Sequence, residues 1–435
     1  MKSRKDYLTK PKGVKMKSKK ISAGLIALAV FSSVAISMSS AQAAKVTTLT
    51  YSGPSTGNEA IINAFAAFEK ANPTIKIKAV YSGTEQWQIS LRTQLASGTA
   101  PDIFFVQPGN GNPTTMRQLA PPGYLLDLSK FEFSKRVPKG ADPVTSINGK
   151  RYFLPTTIAG IGAIYNQNAV TASKAVLPTT WSGVLAFCDA AKASGKVGFA
   201  LAAQTLWVTQ LINYALAPSL VFRVDPTFDT KLGKGQASFA GSPGWKQSFA
   251  KYQQMQKQGC FQADPLGTSL DVANAMVAKG EALAVVQVTP LFPAIAGTAA
   301  PGTTFGMFAL PATENPAQTW MPAAVGGGYG INAKTKNLAA ATKFINFMAT
   351  DKVAAKFAKD SGGFPAIPNP LFKVDPSLEF MNKLIKAGKT YPFMDQMWPN
   401  AKIQPAQYNG IQAMLGGTGS IADLLSGMDD AARSK

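Results

Sequence analysis

Histidine is absent from this chain of 435 residues, and cysteine occurs only twice. Without histidine the chain lacks the imidazole ligands of many zinc sites and the base of a Ser-His-Asp triad. Cys188 and Cys260 allow one disulfide, and the sequence leaves open whether it forms. His-based metal chemistry and His-dependent triads are therefore excluded, whereas a hydrolase that uses only carboxylates remains open.

Acidic residues are also scarce, with 23 Asp and Glu against 44 Lys and Arg, and only 15% of the residues are charged. The resulting excess of +21 is not concentrated in any basic cluster after Lys45. Nucleic-acid binders usually gather their Lys and Arg on one helix or patch. We therefore expect no nucleic-acid partner, and we attribute the basicity to the shortage of acids.

A run of 18 apolar residues is missing beyond the first 44 residues. The N-terminal segment has a basic region, Lys2–Lys20, then an apolar region from Ile21 to about Met38, and then Ala41-Gln42-Ala43. This order predicts a secretory signal peptide over residues 1–43, and Met16 begins an equally good one. No cysteine directly follows the cleavage site, so a lipid anchor has no attachment point. We therefore expect the mature protein to be soluble and unlipidated outside the cytoplasm, with a net charge of +13.

Strand and helix patterns alternate from the start of the mature chain. Glu59–Lys70 has apolar residues at helical spacing and lies between strand patterns at Val46–Tyr51 and Ile75–Tyr81. A helix pattern over Glu85–Ala96 precedes Ile103–Val106, a continuous apolar run typical of a buried parallel strand. These two βαβ units predict an α/β domain with right-handed crossovers.

The same alternation resumes after Pro155. The later helix and strand patterns cover 161–165, 180–193, 245–258, 271–279, 282–288, 305–309 and 338–348. The length that remains after the leader suggests two domains, and the absence of Gly/Pro-rich linkers predicts short crossing segments between them.

Seven short motifs follow one another along residues 46–435: Phe65–Glu69, Ser97–Ile103, Asn148–Pro155, Pro178–Trp181, Ala278–Ala284, Gly327–Asn332 and Gly362–Pro365. Each motif is weak by itself, but their order is specific. Together they resemble the periplasmic binding proteins of ABC sugar importers, the family 1 extracellular solute-binding group that includes the maltose-binding protein.

The resemblance implies an α/β fold with two discontinuous lobes and a hinge cleft. By the motifs, lobe 1 would comprise residues 44–156 and 288–330, and lobe 2 residues 157–287 and 331–435. The resemblance further implies a monomer without cofactor or metal, which binds a carbohydrate in the cleft and closes by a hinge motion. The closed form would then dock on the membrane permease subunits of an ABC importer.

Polar residues that follow predicted strands are the first candidates for ligand contacts. Ser55 and Thr56 follow the first strand, and Gln107 and Asn110 follow the third. Hydroxyls and amides at these strand ends would face the cleft and bond to sugar hydroxyls. The alternatives are that Ser55 caps the next helix and that Gln107 and Asn110 are turn residues.

The other candidates lie in the second lobe and the crossing segments. Aromatic faces stack on sugar rings, and amides bond to their hydroxyls, although each aromatic residue could equally pack in a core. On this basis we select Gln204, Trp207, Gln287, Trp320, Gly327, Tyr329 and Trp398. In contrast, we expect Trp181 and Trp245 to pack in the core and Asp102 to be a structural carboxylate.

The candidate set consists of amides, hydroxyls, aromatics and a glycine, which favours an uncharged sugar or polyol. One alternative is another solute on the same fold, such as a glycerol-phosphate ester or ferric ion. Arginine is scarce in the loops, and the adjacent tyrosine pair of iron binders does not occur. A second alternative is a secreted glycan-cleaving enzyme with paired carboxylates. Since no motif singles out such a pair, we predict a binding protein and not an enzyme.

Overall fold

The computed structural model describes residues 45–55 and 59–434. The predicted signal peptide and both candidate start positions lie outside these residues. The strands are β1 (Thr47–Pro54), β2 (Ile75–Ser82), β3 (Ile103–Val106), β4 (Ser146–Ile147), β5 (Lys150–Arg151), β6 (Leu154–Asn166), β7 (Val197–Ala200), β8 (Ala282–Val288), β9 (Phe305–Phe308), β10 (Met321–Ile331), β11 (Phe364–Pro365) and β12 (Thr390–Tyr391).

The helices of the described residues alternate with these strands, as the sequence predicts. They are α1 (Glu59–Ala71), α2 (Thr84–Ser97), α3 (Met116–Leu119), α4 (Glu132–Arg136), α5 (Asp142–Thr145), α6 (Gln167–Ala172), α7 (Trp181–Ala193), α8 (Leu211–Ala217), α9 (Phe228–Gly233), α10 (Pro243–Lys257), α11 (Leu270–Ala278), α12 (Phe292–Gly297), α13 (Leu338–Met348), α14 (Asp351–Asp360), α15 (Glu379–Lys386), α16 (Met394–Met397), α17 (Ile403–Leu415) and α18 (Ile421–Arg433). None of them is long and apolar enough to cross a membrane.

One sheet runs through the molecule in the order β2-β1-β3-β10-β6-β8-β7. Its two ends are parallel, since β1 pairs in parallel with β2 and β3, and β7 pairs in parallel with β8. Between them, β10 and β6 run antiparallel to each other and to their outer neighbours. The strand order and directions, with helices between the strands, give a mixed α/β fold.

The long strand β6 connects the two ends of this sheet. Its first half pairs with β10, and its second half, Ile161–Tyr165, pairs with β8. The glycine run Gly326–Gly328 lies inside β10, at a bulge opposite Thr157, and not in a turn. At Gly328 a side chain would collide with the Leu154 carbonyl, so a glycine allows the two crossing strands to pair there.

Apolar side chains form two groups of clusters, one on each side of these crossing strands. The first group includes β1, β3, α1 and α13, and the second includes β8, α7, α8, α10 and α17. Residues of the predicted lobe-2 segment at 340–367 pack in the first group, whereas Leu291–Ala312 pack in the second. We therefore propose that residues 340–367 belong to lobe 1 and residues 291–312 to lobe 2.

A disulfide joins Cys188 and Cys260, with their Cα atoms 4.9 Å apart. Cys188 lies on α7, and Cys260 follows α10 at the start of the loop that returns toward the sheet. Both residues are fully buried. The bond therefore closes a long loop within the second group of clusters.

Asp102 connects the start of β3 to two neighbouring segments, as expected of a structural carboxylate. It accepts hydrogen bonds from the Thr50 amide and hydroxyl, and from Thr335 and Asn337. Burial acts to raise the pKa of this carboxyl, but the hydrogen bonds outweigh burial and the pKa is lowered. The charged form therefore stabilises the fold, and this stabilisation is lost as the pH falls below about 4.

We expect Asp102→Ala to lower the free energy of unfolding by about 3 kcal/mol at pH 7, because several donors lose a charged acceptor. Urea unfolding at pH 7 measures this effect, and the difference from wild type should shrink toward pH 3. Asp271→Ala removes an exposed carboxylate and serves as the control. An unchanged unfolding midpoint for Asp102→Ala would contradict the structural role.

Candidate functional site

A cavity of about 220 Å³ lies where both groups of clusters meet the crossing strands. The first group contributes the end of β1, the start of α2 and the loop after β3, and the second contributes residues before and on α8, and residues 393–408. Ile161 of β6 and Gly326 of β10 also line it. The cavity is therefore placed as a cleft between two lobes requires.

Glutamine amides are the main polar groups of this cavity. On one wall the Gln107 Oε1 accepts from the Gln88 Nε2 at 3.2 Å and from the Thr114 hydroxyl at 3.0 Å. On the other wall the Gln404 Nε2 donates to the Gln210 Oε1 at 3.3 Å. These bonds orient the amides without a charge, which suits hydroxyl groups as partners.

Aromatic side chains complete the lining. Trp207 and Phe393 are half-buried at the cavity, Tyr408 lies beside Gln210, and Tyr214 is buried behind them. An exposed aromatic face next to oriented amides matches the amphipathic surface of a sugar ring.

The one acidic side chain among the described lining residues is Asp395, and Lys and Arg are missing from that lining. Burial raises the pKa of Asp395 to about 6, while Tyr214 and Gln404 partly oppose this rise. The cavity therefore lacks the cationic clamp that a phosphate or carboxylate ligand would need.

The segment that carries Asp395 is bound directly to the loop after β3. The backbone N–H of Asn110 donates to the backbone carbonyl of Gln396 at 3.2 Å. The Asn110 Nδ2 donates to the backbone carbonyls of Trp398 and Pro399. A Cβ at Gly109 or Gly111 would overlap Gln396 or the Asp395 carboxylate, so glycine permits this close approach. The loop after β3 and residues 395–399 thus touch beside the cavity.

A larger groove of about 990 Å³ lies elsewhere, along residues 220–247 and 429–433. All its lining residues come from one side of the crossing strands. Its lining includes the charged residues Asp225, Lys231 and Arg433. We favour the smaller cavity because both lobes contribute to it and its amides are oriented toward one space.

The structure brings two of the sequence candidates, Gln107 and Trp207, together in the cavity, from opposite walls. Three further candidates are neighbours in sequence of residues that line the cavity. Ser55 is exposed just after Pro54, Gln287 is buried just before Val288, and Gly327 follows Gly326. Thr56 lies outside the described residues.

Asn110, Gln204 and Trp320 do not line the cavity. The amide of Asn110 is bound to the 398–399 carbonyls, as described above, and Gln118 donates to its oxygen at 2.8 Å. Gln204 is exposed, and its backbone bonds to Thr268. Trp320 is half-buried, and its amide donates to the Ser219 hydroxyl at 2.9 Å. These three predicted residues therefore lie outside the cavity, and their contacts are with other parts of the protein.

Tyr329 and Trp398 are packing residues, contrary to the sequence prediction. Tyr329 is 1% exposed and packs against Phe344 with ring centroids 5.1 Å apart. Trp398 is also 1% exposed and packs against Phe239 at 5.7 Å. Both large rings pack in a core. Core packing was the alternative that the sequence left open for each aromatic candidate.

Sequence reasoning missed most of the amide wall, and Asp395. Gln404 and Tyr408 lie on one face of α17, and Gln210 and Tyr214 are likewise four residues apart. This i, i+4 spacing places each pair on one side of a helix. Polar residues four positions apart within an apolar stretch were the signal in the sequence that could have indicated this wall.

No group of three or more Cys, Asp or Glu side chains in residues 45–55 and 59–434 could hold a metal ion.

Comparisons with known proteins agree with this architecture. Residues 53–355 match the family described as bacterial extracellular solute-binding protein. A multiple sugar-binding protein of Streptococcus mutans is 23% identical over 335 residues, which cover 76% of this chain and 77% of that protein. These relatives are solute-binding proteins, a non-enzymatic family.

Solved structures show the same fold. A chitin oligosaccharide binding protein has a TM-score of 0.72 at 22% identity, covering 86% of this chain and 94% of that one. The binding protein RafE in complex with raffinose has a TM-score of 0.74 at 21% identity, covering 89% and 98%. A Bacillus licheniformis sugar transporter in complex with stachyose has a TM-score of 0.72 at 18% identity, covering 89% and 100%. The chain belongs to the bacterial extracellular solute-binding protein family.

Proposed function

We propose that this protein captures a carbohydrate in the cleft between its lobes and delivers it to the membrane permease of an ABC importer. The observation that carries this proposal is the cavity in which glutamine amides from both lobes surround half-buried aromatic rings. Such a lining offers hydrogen bonds to hydroxyls and apolar contact to ring faces. The sugars named for its structural relatives are consistent with it.

We further propose that β6 and β10 act as the hinge. They are the long strands that pass from one group of clusters to the other, so a change of their dihedral angles would open or close the cavity. An exported, periplasmic, monomeric protein that presents its closed form to the permease would complete this role.

The ligand class can be tested with a thermal-shift panel on the mature protein. The panel contains D-galactose, raffinose, stachyose and chitin oligosaccharides, with glycerol 3-phosphate as the charged comparison. A bound sugar at 100 times its dissociation constant should stabilise the protein by about 2.7 kcal/mol. A shift with glycerol 3-phosphate and none with any sugar would contradict the proposal.

A further inference from the structure

Two hydrogen-bond acceptors lie side by side in the cavity, on the segment that touches the loop after β3. Asp395 and Gln396 both line the cavity, and their side chains are only 8% and 4% exposed. The Gln396 Nε2 donates to the Val325 carbonyl at 2.9 Å, which holds the amide in place. Within the described residues its Oε1 has no hydrogen-bond partner.

A buried acceptor without a donor costs free energy, and the Gln396 Oε1, on a residue that lines the cavity, can accept a hydrogen bond from a group that enters it. The adjacent carboxylate can accept from a second donor at the same place. Neighbouring hydroxyls of a sugar ring supply two donors, whereas a phosphate or carboxylate ligand would be repelled by the charged Asp395.

We propose that Asp395 and Gln396 form the end of the ligand site that accepts hydroxyl hydrogen bonds, and that mildly acidic medium releases a ligand held there. This inference rests on the proposed carbohydrate-binding function and adds a regulation of that same site. The segment that follows Asp395 also bonds to Asn110 in the loop after β3. A ligand held by Asp395 and Gln396 would therefore lie beside this contact, which lobe closure would form or break.

The groups that face Asp395 come from several elements. The charge of Asp395 raises the pKa values of Tyr214 of α8, Tyr408 of α17 and Asp229 of α9. Glu85 of α2 faces Tyr408 from the other lobe. None of these groups is a cation. Asp229 is itself buried, receives a hydrogen bond from Tyr391, and has its pKa raised to about 7 by burial.

The sign of the pH effect follows from these surroundings. In the free protein, burial raises the pKa of Asp395 to about 6, so the carboxyl is mainly protonated at pH 5. Hydroxyls that donate to it favour the charged form and lower its pKa in the complex. Binding therefore releases a proton below pH 6, and affinity is lost as the pH falls through the pKa of the free protein.

The test is calorimetric titration of the panel sugar that stabilises the protein most, at pH 5.0, 6.0 and 7.5, in two buffers of different ionisation enthalpy. We expect affinity at pH 5.0 to be about tenfold lower than at pH 7.5, because one group with a pKa near 6 must lose its proton. The two buffers should report release of a proton near pH 5.5.

Asp395→Asn should bind at least about tenfold more weakly at pH 7.5, with no pH dependence, since a charged acceptor is replaced by a neutral one. The matched control, Asp271→Asn, changes an exposed carboxylate and should behave as wild type. Asp229→Asn should keep the pH dependence with a nearly unchanged midpoint, because Asp229 is itself mainly protonated near pH 6.

Wild-type affinity in Asp395→Asn, or a persisting pH dependence, would overturn the inference. If Asp395→Asn fails to fold, the test is the number of protons that the wild-type protein releases on binding. Binding at pH 5.5 without proton release would reject the proposal. A sugar that binds equally at all three values leaves the proposed function intact and rejects this inference alone. Absence of sugar binding at every pH rejects both.

Discussion

Trp207→Ala is expected to weaken sugar binding by about 3 kcal/mol, or roughly 100-fold. Trp207 is half-buried at the cavity, on the wall opposite Gln107, so its ring face is available to a ligand. Its truncation removes apolar contact area and the stacking surface, while the oriented amides remain. Isothermal titration with the sugar identified by the panel measures the change.

Trp320→Ala is the matched control for this experiment. Trp320 is also a half-buried tryptophan that the sequence selected, but it lies outside the cavity and its backbone bonds to Ser219. The control should therefore keep wild-type affinity. Equal losses in both variants, or full affinity in Trp207→Ala, would show that the ligand binds elsewhere, and the groove along residues 220–247 would then be the first place to examine.

The double variant Cys188→Ala/Cys260→Ala is expected to lose about 4 kcal/mol of unfolding free energy. The two cysteines are 72 residues apart, and the entropy that a cross-link removes from the unfolded chain grows with the closed loop. Both residues are fully buried, so packing losses add to this effect. Urea unfolding under oxidising conditions gives the difference from wild type.

Reduced wild-type protein is the control, because it keeps both side chains and lacks only the bond. It should unfold somewhat above the midpoint of the double variant, because its buried side chains still pack, and well below that of the oxidised protein. Oxidised and reduced wild-type proteins with the same midpoint would contradict a stabilising disulfide. Since the bond lies in the second group of clusters, we expect the affinity of the folded protein for its ligand to change little.

Local patterns predicted the regular elements well. Ile103–Val106, Ala282–Val288 and Leu338–Met348 have the bounds that their apolar spacing predicts, because burial of one face or of a whole short strand is a local property of the sequence. The glycine run at 326–328 was harder to interpret. Its place inside β10 depends on pairing with β6, more than 150 residues earlier in the chain.

The candidate site was only partly predictable. Gln107 and Trp207 were found because they follow a strand or match a motif, and both line the cavity. Asp395 was missed because nothing in its neighbourhood distinguishes it from an ordinary helix residue, and Gln404 was missed because its i, i+4 spacing to Tyr408 was not used. Tyr329 and Trp398 were chosen for their chemistry, yet their rings fill the cores of the two lobes.

By itself the sequence determined that histidine chemistry is excluded, that strands and helices alternate, and that seven ordered motifs lead to one family. These properties depend on composition and on short-range spacing, so they can be read without knowing which segments meet. Only the tertiary structure decided which polar side chains share a cavity, because Gln88 and Gln404 are brought there by crossing strands and long-range packing. The same packing decided that the two cysteines lie close enough to bond.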